Sequence, residues 1–276
     1  MTTTRATLSV DTLVLEILAS VVSDSGPIRS TNQDSFLNAP PVFVVADGMG
    51  GHRSGDLASQ AAVRVLGERL ANSSAHPPDV VLESLRAAHD AVAEIGEAGA
   101  VSGTTIAGVA LTRADASSAP HWMLFNIGDS RIYGWDGVAL TQVTVDHSAV
   151  QELIEAGSLS VQAAAVHPER NVITRALGVG DASDPDVWLL PVADRQTFLI
   201  CSDGLTKELG DDQIADVLVG SRDDDAAQRL VDAAIAHGGH DNVTVLIVSC
   251  VAHPDEDGAP PQSVGAEFLE DTVPRG

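Results

Sequence analysis

The stretch Val44-Val45-Ala46-Asp47-Gly48-Met49-Gly50-Gly51-His52 is an apolar run that ends abruptly in an aspartate and glycines. This pattern predicts a buried strand that delivers a carboxylate to a flexible rim. Glycine has no Cβ, so the backbone can approach a small ligand closely there. The same order returns at Phe198-Leu199-Ile200-Cys201-Ser202-Asp203-Gly204. Two further turns carry acids, Gly128-Asp129-Ser130 and His240-Asp241-Asn242, and together these elements predict a site where several carboxylates converge.

The composition limits the classes of function that the chain can serve. Its 276 residues fit one large domain or two small ones, and a hydrophobic content of 44% is enough for a sizeable core. Aromatic residues make up only 3% of the chain, which argues against a platform for stacking nucleobases. Fifteen basic and 39 acidic residues give a net charge of -24, which opposes binding to nucleic acid or anionic membrane. That charge suits cations and basic partner segments, although acidity also serves solubility alone.

The cysteines and the termini indicate a cellular compartment. Cys201 and Cys250 both lie in apolar, strand-like runs, which predicts buried reduced thiols and no disulfide framework. The N-terminus lacks the basic region followed by an apolar region that is typical of a signal peptide. No apolar run reaches the length of about 18 residues that a membrane span needs. We therefore expect a soluble, cytoplasmic protein.

Hydrophobic periodicity predicts an alternation of strand-rich and helical segments. The predicted strands are Leu13–Val22, Val42–Ala46, Gly103–Leu111, His121–Ile127, Arg131–Trp135, Val187–Leu190, Thr197–Cys201 and Val243–Val251. The predicted helices are Ser54–Leu70, Val80–Glu97, Ala149–Ala156, Asp211–Val219 and Asp223–Ala236. The tight turn Gly128-Asp129-Ser130 predicts a hairpin between its flanking strands.

This order of elements favours an α+β layered domain with largely antiparallel sheets and helices outside. A doubly wound parallel sheet fits less well, because strands and helices do not alternate one for one. We expect a flexible N-terminus over residues 1–12, a folded domain over residues 13–252 and a disordered acidic tail over residues 253–276. Within the domain, the mixed segment from about residue 146 to residue 180 is expected to be an excursion from the core.

Five aspartates form the candidate cluster of acids around a metal site. Asp47, Asp129, Asp203 and Asp241 stand at strand ends or in turns, and Asp34 follows Asn32-Gln33. Taken singly, an aspartate beside a glycine is most often a turn residue. Clustered carboxylates repel one another unless cations neutralise them, and oxygen ligands suit Mg²⁺, Mn²⁺ or Ca²⁺. The sequence has no His and Cys cluster with the spacing of a zinc site.

Seven short motifs, in this order, resemble those of the metal-dependent PP2C-type (PPM) protein phosphatases, and most of all the bacterial members. They are Arg29-x-x-Asn32-Gln33-Asp34, Asp47-Gly48-Met49-Gly50-Gly51-His52, Ser102-Gly103-Thr104-Thr105, Gly128-Asp129-Ser130-Arg131, Asp146-His147-Ser148, Ser202-Asp203-Gly204-Leu205 and Asp241-Asn242-x-Thr244. Each motif is short, but seven in the family's order, over roughly residues 10–251, make a specific match.

The resemblance implies a four-layer α-β-β-α sandwich with a binuclear Mg²⁺ or Mn²⁺ site at one end. It implies hydrolysis of phosphoserine and phosphothreonine in phosphoproteins, by attack of a water that bridges the metals. It also implies a signalling role that opposes Ser/Thr kinases. The alternatives are a silent module of the same fold that binds a phosphoprotein or kinase, and a hydrolase for small phosphate esters.

Carried over residue by residue, the resemblance assigns metal ligands. Asp47 would bridge the two metals, and the Gly48 carbonyl would bind one of them. Asp203 and Asp241 would complete the shell of the other metal. Asp129 would help to hold a third, more weakly bound ion.

The resemblance also assigns residues that act on the substrate or behind the metals. Arg29 would hold the substrate phosphate, for which its planar guanidinium is suited. It would count among the catalytic residues together with Asp47, Asp203 and Asp241. Asp34 and Gln33 would orient the attacking water from behind the metal ligands.

The chain departs from the family at the proton donor. Animal-type members carry a histidine directly after the Asp-Gly pair, proposed as general acid, and here that position is Met49. His52, His147 or a metal-bound water are the alternatives. Gln33 replaces a carboxylate found in some relatives, which removes a negative charge. The segment over residues 146–180 matches the family's flap beside the site, and we expect it to contribute to substrate selection.

Overall fold

The computed structural model describes residues 1–50, 54–71, 73–95, 102–115, 117–164, 166–180, 184–222 and 224–255. Its strands are β1 Thr2–Val10, β2 Leu13–Asp24, β3 Asp34–Ala39, β4 Val42–Gly50, β5 Ser102–Thr104, β6 Ile106–Thr112, β7 His121–Ile127, β8 Arg131–Trp135, β9 Leu140–Gln142, β10 Asp186–Pro191, β11 Arg195–Cys201 and β12 Val243–Pro254. Its helices are α1 Ser54–Leu70, α2 Pro78–Ala93, α3 Ala149–Glu155, α4 Val161–Ala164, α5 Asp203–Thr206, α6 Asp211–Val219 and α7 Ala226–His237.

The strands form two antiparallel sheets. The first has the order β1-β2-β12-β11-β8-β9, and the second has the order β10-β7-β6-β4-β3. Strand β5 pairs with the end of β4 outside this path. The predicted fold class, an α+β sandwich of two antiparallel sheets flanked by helices, is confirmed.

Three apolar cores separate the four layers. One core lies between the sheets, one between the second sheet and helices α1 and α2, and one between the first sheet and helices α5 to α7. Strand β4 explains how one apolar run serves two cores. Phe43 and Val45 enter the core between the sheets, whereas Val42, Val44 and Ala46 face the helices. Successive side chains of a strand point to opposite faces, so a strand buried on both faces reads as a continuous apolar run.

The sequence predicts a flexible N-terminus over residues 1–12, whereas the structure has a strand over most of this segment. Residues Thr2–Val10 form an edge strand that pairs with β2 along its whole length. Their threonines are β-branched, which favours extended backbone. The turn to β2 contains Asp11 at a φ of +59°, a conformation that aspartate adopts more readily than most residues.

The predicted hairpin around Gly128-Asp129-Ser130 is wrong. Strand β7 pairs with β6 and β10 in the second sheet, whereas β8 pairs with β11 and β9 in the first. The turn therefore carries the chain from one sheet to the other, with Gly128 at a φ of +107°. This crossing puts Asp129 at the end of the sandwich.

Several element boundaries differ from the predictions. The predicted tail over residues 253–276 starts too early, because β12 continues to Pro254 in register with Leu13. The part of that tail over residues 256–276 lies outside the described residues. The predicted strand Gly103–Leu111 is two strands, and β3 and α5 are additional elements. None of the described helices combines the length and the hydrophobicity that a membrane crossing requires.

Candidate metal centre

The five predicted aspartates meet at one end of the sandwich. Asp34 begins β3 and lies opposite Asp47 of β4 in the antiparallel register. Asp203 follows β11, Asp241 precedes β12, and Asp129 lies in the crossing from β7 to β8. In an antiparallel sheet, the end of one strand and the start of its neighbour lie at the same edge. The carboxylate of Asp47 interacts electrostatically with the carboxylates of the other four aspartates. The predicted convergence of acids is therefore present in the fold.

The electrostatics of this cluster are those of buried carboxylates whose negative charge is only partly neutralised. Burial, with smaller contributions from neighbouring carboxylates, raises the pKa of Asp34 and of Asp129 to about 7. Burial and the four surrounding carboxylates raise the pKa of Asp47 well above its ordinary value. Burial also raises the pKa of Asp203, against the opposing charge of Lys207. Such shifts are those expected of carboxylates whose charge a bound cation would neutralise.

Backbone and hydroxyl contacts fix Asp47. Its N–H donates to Thr105 Oγ1 at 3.0 Å, and its carbonyl accepts from the Thr105 N–H and from Thr104 Oγ1, both at 2.9 Å. The Thr105 hydroxyl also pairs with Ser130 Oγ at 2.7 Å, next to Asp129. The Ser-Gly-Thr-Thr motif of the sequence thus ties Asp47 to Asp129 through one buried hydroxyl pair.

A second buried network holds Asp34 behind the cluster. Its Oδ2 accepts from Ser202 Oγ at 2.8 Å and from Thr244 Oγ1 at 2.7 Å. Ser202 Oγ in turn accepts from the Thr244 N–H at 2.9 Å. These bonds join β3, β12 and the start of α5, so that the elements bearing Asp203 and Asp241 are anchored on one carboxylate.

The rim is organised by Asn242, a residue of the seventh motif to which the sequence assigned no role. Its Oδ1 accepts from the Gln33 N–H at 2.9 Å. Its Nδ2 donates to the carbonyls of Ser25 and Thr31, both at 3.0 Å. The side chain therefore fastens the segment that carries Arg29 to the loop that carries Asp241.

The predicted phosphate-binding residue, Arg29, lies at this rim. Its Nη2 contacts both carboxylate oxygens of Asp241 at 3.0 Å, and the side chain is 50% exposed. Gln33 contacts Asn242 through its backbone N–H, and its carbonyl accepts from the Gly48 N–H at 3.1 Å. A Cβ on Gly48 would collide with the backbone of Gly55, so this position requires glycine for packing. That the Gly48 carbonyl binds a metal remains a prediction.

Lys207 is a cation of the site that the sequence analysis missed. Its Nζ contacts Asp203 Oδ2 and lies 3.2 Å from Asp241 Oδ2. These carboxylates outweigh the cost of burial and hold the pKa of Lys207 above its ordinary value. Two signals could have found it. It follows Asp203 by four residues, one helical turn, and it is the only lysine in the sequence.

Of the two histidines named as candidate proton donors, the structure describes His147, whereas His52 lies outside the described residues. The His147 side chain is 4% exposed. Its Nδ1 accepts from the Gly128 N–H at 3.0 Å, so the neutral ring carries its proton on Nε2, which donates to Asp186 at 3.1 Å. Arg175 also contacts Nε2. With both nitrogens engaged, His147 anchors the turn that carries Asp129, and its geometry disfavours a role as general acid.

Ion pairs join both ends of the segment over residues 146–180 to the sheets. Arg131 Nη2 binds Asp146 Oδ2 at 2.7 Å, and Arg175 Nη2 binds Asp186 Oδ1 at 2.9 Å. Between them the segment contains the short helices α3 and α4 and exposes Val161. Its role in substrate selection remains a prediction.

The donor set fits a hard divalent cation. Asp34, Asp129 and Asp203 each have a buried Oδ1 without a hydrogen-bond partner. Among the described residues, no three His, Cys, Asp or Glu side chains are close enough to hold a metal ion by themselves. Mg²⁺ and Mn²⁺ fit such a site, since Mg²⁺ keeps several waters and takes one or two carboxylates directly.

Comparisons with known proteins agree with this chemistry. A family model described as Protein phosphatase 2C matches residues 29–233. A serine/threonine phosphatase stp of Listeria welshimeri is 37% identical over 234 residues, which cover 82% of this chain and 93% of that protein. The serine/threonine protein phosphatase PstP of Mycobacterium tuberculosis is 33% identical over 252 residues, covering 87% of this chain and 46% of PstP.

Solved structures are similar over the same region. The PPM Ser-Thr phosphatase MsPP of Mycobacterium smegmatis, in complex with cacodylate, is 36% identical with a TM-score of 0.74 and covers 83% of this chain and 97% of its own. The catalytic domain of PstP in complex with two manganese ions is 31% identical with a TM-score of 0.74, and the match covers 86% of this chain and 99% of that domain. The chain therefore belongs to the protein phosphatase 2C family, the metal-dependent serine/threonine protein phosphatases that its seven motifs resemble.

Proposed function

We propose that the chain hydrolyses phosphoserine and phosphothreonine in phosphoproteins at a divalent-metal centre built on Asp47, Asp203 and Asp241. The observation that carries this proposal is the convergence of five aspartates, most of them buried, with Arg29 at the rim. Such a cluster is costly without cations, because like charges in a low-dielectric site disfavour ionisation. Membership of the protein phosphatase 2C family supports the reaction class.

Each acid of the cluster has a proposed task. Asp47, Asp203 and Asp241 would hold the ions, and the Gly48 carbonyl would contribute a further oxygen. Asp129, at the crossing between the sheets, helps to hold a third ion. When bound, such ions would lower the pKa of a coordinated water and stabilise the negative charge on the attacking and leaving oxygens.

The remaining groups orient the reactants. Arg29 presents a half-exposed guanidinium whose planar fork matches two phosphate oxygens. Its contact with Asp241 aims that fork toward the cluster. Asp34 keeps one oxygen without a partner, held in place by Ser202 and Thr244, and can orient a water together with Gln33. These residues bind and position the reactants, and none of them needs to form a covalent bond to phosphorus.

Mn²⁺ or Mg²⁺ is the proposed cofactor. The all-oxygen donor set suits both ions, and the related PstP catalytic domain is known in complex with two manganese ions. Phosphoproteins are the proposed substrates, and the enzyme would oppose Ser/Thr kinases in signalling. The acidic net charge of -24 suits phosphosites that are flanked by basic residues.

The test is release of phosphate from a phosphothreonine peptide, with and without Mn²⁺. We expect activity that EDTA abolishes and that Asp203→Asn lowers by at least about 10³-fold, because a metal ligand is lost. The exposed Asp216 of α6 offers a matched control, and Asp216→Asn should retain wild-type activity. Activity that persists in EDTA, or in Asp203→Asn, would rule out this function. Faster turnover of free phosphate metabolites than of peptides would favour the small-ester alternative instead.

A further inference from the structure

The only lysine of the chain lies inside its acid cluster. The sequence has fifteen basic residues, and fourteen of them are arginines. Lys207 follows α5, which begins with Asp203, and its ammonium contacts Asp203 and Asp241 together. It also interacts electrostatically with Asp129. One compact positive charge thus interacts favourably with three of the five aspartates.

The choice of lysine matters at this position. An arginine binds carboxylates through a fixed planar fork, whereas a lysine ammonium is a point charge on a flexible stem. The Lys207 side chain is 33% exposed, so it lies partly at the surface and its flexible stem can turn outward. It can therefore leave the carboxylates without a change in the fold. Arg29, which also binds Asp241, is more exposed and reaches the cluster from the rim.

The geometry points to Lys207 as a built-in counter-ion that a divalent cation must displace from Asp203 and Asp241. This inference rests on the metal centre proposed above. The ammonium and a metal ion compete for the negative charge of the same two carboxylates, since Lys207 contacts Oδ2 of both residues. Lysine at this position thus lowers the affinity of one side of the centre for metal. It also holds α5, which carries Asp203, and the loop that carries Asp241 together when metal is scarce.

The first experiment measures Mn²⁺ affinity by calorimetry for the wild type and for Lys207→Met. Removing the competing charge should tighten binding by about tenfold. Lys207→Arg keeps the positive charge, so its Mn²⁺ affinity should not rise more than threefold above that of the wild type. Arg195→Met removes one exposed positive charge far along β11 and controls for the change in net charge. It should also stay within threefold.

The second experiment uses the unaltered protein. Because Lys207 is the only lysine, selective ¹³C labelling of the lysine Cε gives a single NMR signal from the carbon beside the ammonium. Titration with diamagnetic Mg²⁺ should shift that signal, and the shift should saturate together with metal binding. The measurement does not depend on activity or on the folding of any variant.

The inference requires both results. A gain in Mn²⁺ affinity of less than threefold for Lys207→Met, or a lysine signal that Mg²⁺ leaves in place, overturns it. Equal affinities in wild type and variant would remove only the role of Lys207. Absence of Mn²⁺ binding to both proteins would overturn the metal centre itself, and the inference with it.

Discussion

Asp34 illustrates how much of the site depends on single buried atoms. One of its carboxylate oxygens accepts two hydroxyl hydrogen bonds, and the other has no partner. The sequence predicted its place behind the metal ligands through a short motif. It could not predict the partners, because Ser202 and Thr244 are distant in sequence and meet Asp34 only in the folded sandwich. The same limit applies to Asn242, whose three hydrogen bonds join two loops.

Arg29→Ala should lower kcat/KM for a phosphopeptide by roughly 10- to 100-fold, the loss expected for charge-assisted hydrogen bonds to phosphate. Arg29→Lys should recover part of it, because the charge remains while the planar fork is lost. Stability should change little, since the side chain is half exposed. Steady-state kinetics with Mn²⁺ present checks the effect, and an unchanged kcat/KM in Arg29→Ala would show that another group binds the phosphate.

At the scale of elements, hydrophobic periodicity predicted the helices and strands well and the pairing of the strands poorly. Helix α1 and strands β7 and β8 have the predicted bounds. The predicted hairpin between β7 and β8 is wrong because strand pairing depends on the whole sheet. A tight turn with glycine looks the same in the sequence whether it joins two paired strands or carries the chain from one sheet to the other. Helix α5 has only four residues, too few for a periodic signal, and so the contact between Lys207 and Asp203 one turn apart was missed.

Gly204, in α5, should not tolerate a side chain. A Cβ at this position would collide with the backbone carbonyl of Asn242, which no side-chain rotation can relieve. Gly204→Ala should therefore cost about 2 kcal/mol or more of unfolding free energy, as for other overpacked sites. Urea denaturation measures it.

Gly134 of β8 is the matched control for this prediction. A Cβ there would lie 4.0 Å from the nearest side chain, an ordinary contact. Gly134→Ala should change the unfolding free energy by less than about 1 kcal/mol. Equal stabilities for the two variants would mean that α5 does not pack closely against the Asp241 loop.

At the scale of the whole molecule, the unfavourable electrostatic interactions are concentrated at one end of the sandwich. The sandwich buries three apolar cores, while the loops at one end gather carboxylates whose pKa values rise. The sequence predicted this layout through strand-end acids and the seven motifs. The sizes of the pKa shifts depend on burial and distances, which a linear sequence does not contain.

Without metal, the protein should lose stability as the pH rises from about 4 through 7. The pKa of Asp34 and of Asp129 is raised in the folded state from 3.8 to about 7, so the folded state binds more protons than the unfolded state between those values. Unfolding free energy falls with pH wherever the folded state binds more protons. Thermal melting in EDTA across this range measures the effect.

Saturating Mn²⁺ should remove most of that slope, because the metal replaces the protons as counter-charge. Below about pH 4 the protein should lose stability for a different reason. Burial alone would raise the pKa of Asp186, but His147 and Arg175 outweigh it and hold that pKa below its ordinary value, so protonation there costs stability. A melting temperature in EDTA that rises steadily from pH 4 to pH 8 would contradict the proposed electrostatics of the cluster.

The central claim is that the converging aspartates form a divalent-metal centre. Anomalous diffraction from a crystal grown with Mn²⁺ tests it most directly. We expect two strong manganese peaks among Asp47, Asp203 and Asp241, with Asp47 bound to both ions and the Lys207 ammonium moved away from the carboxylates. A map without manganese peaks at this end of the sandwich, under saturating Mn²⁺, would contradict the account.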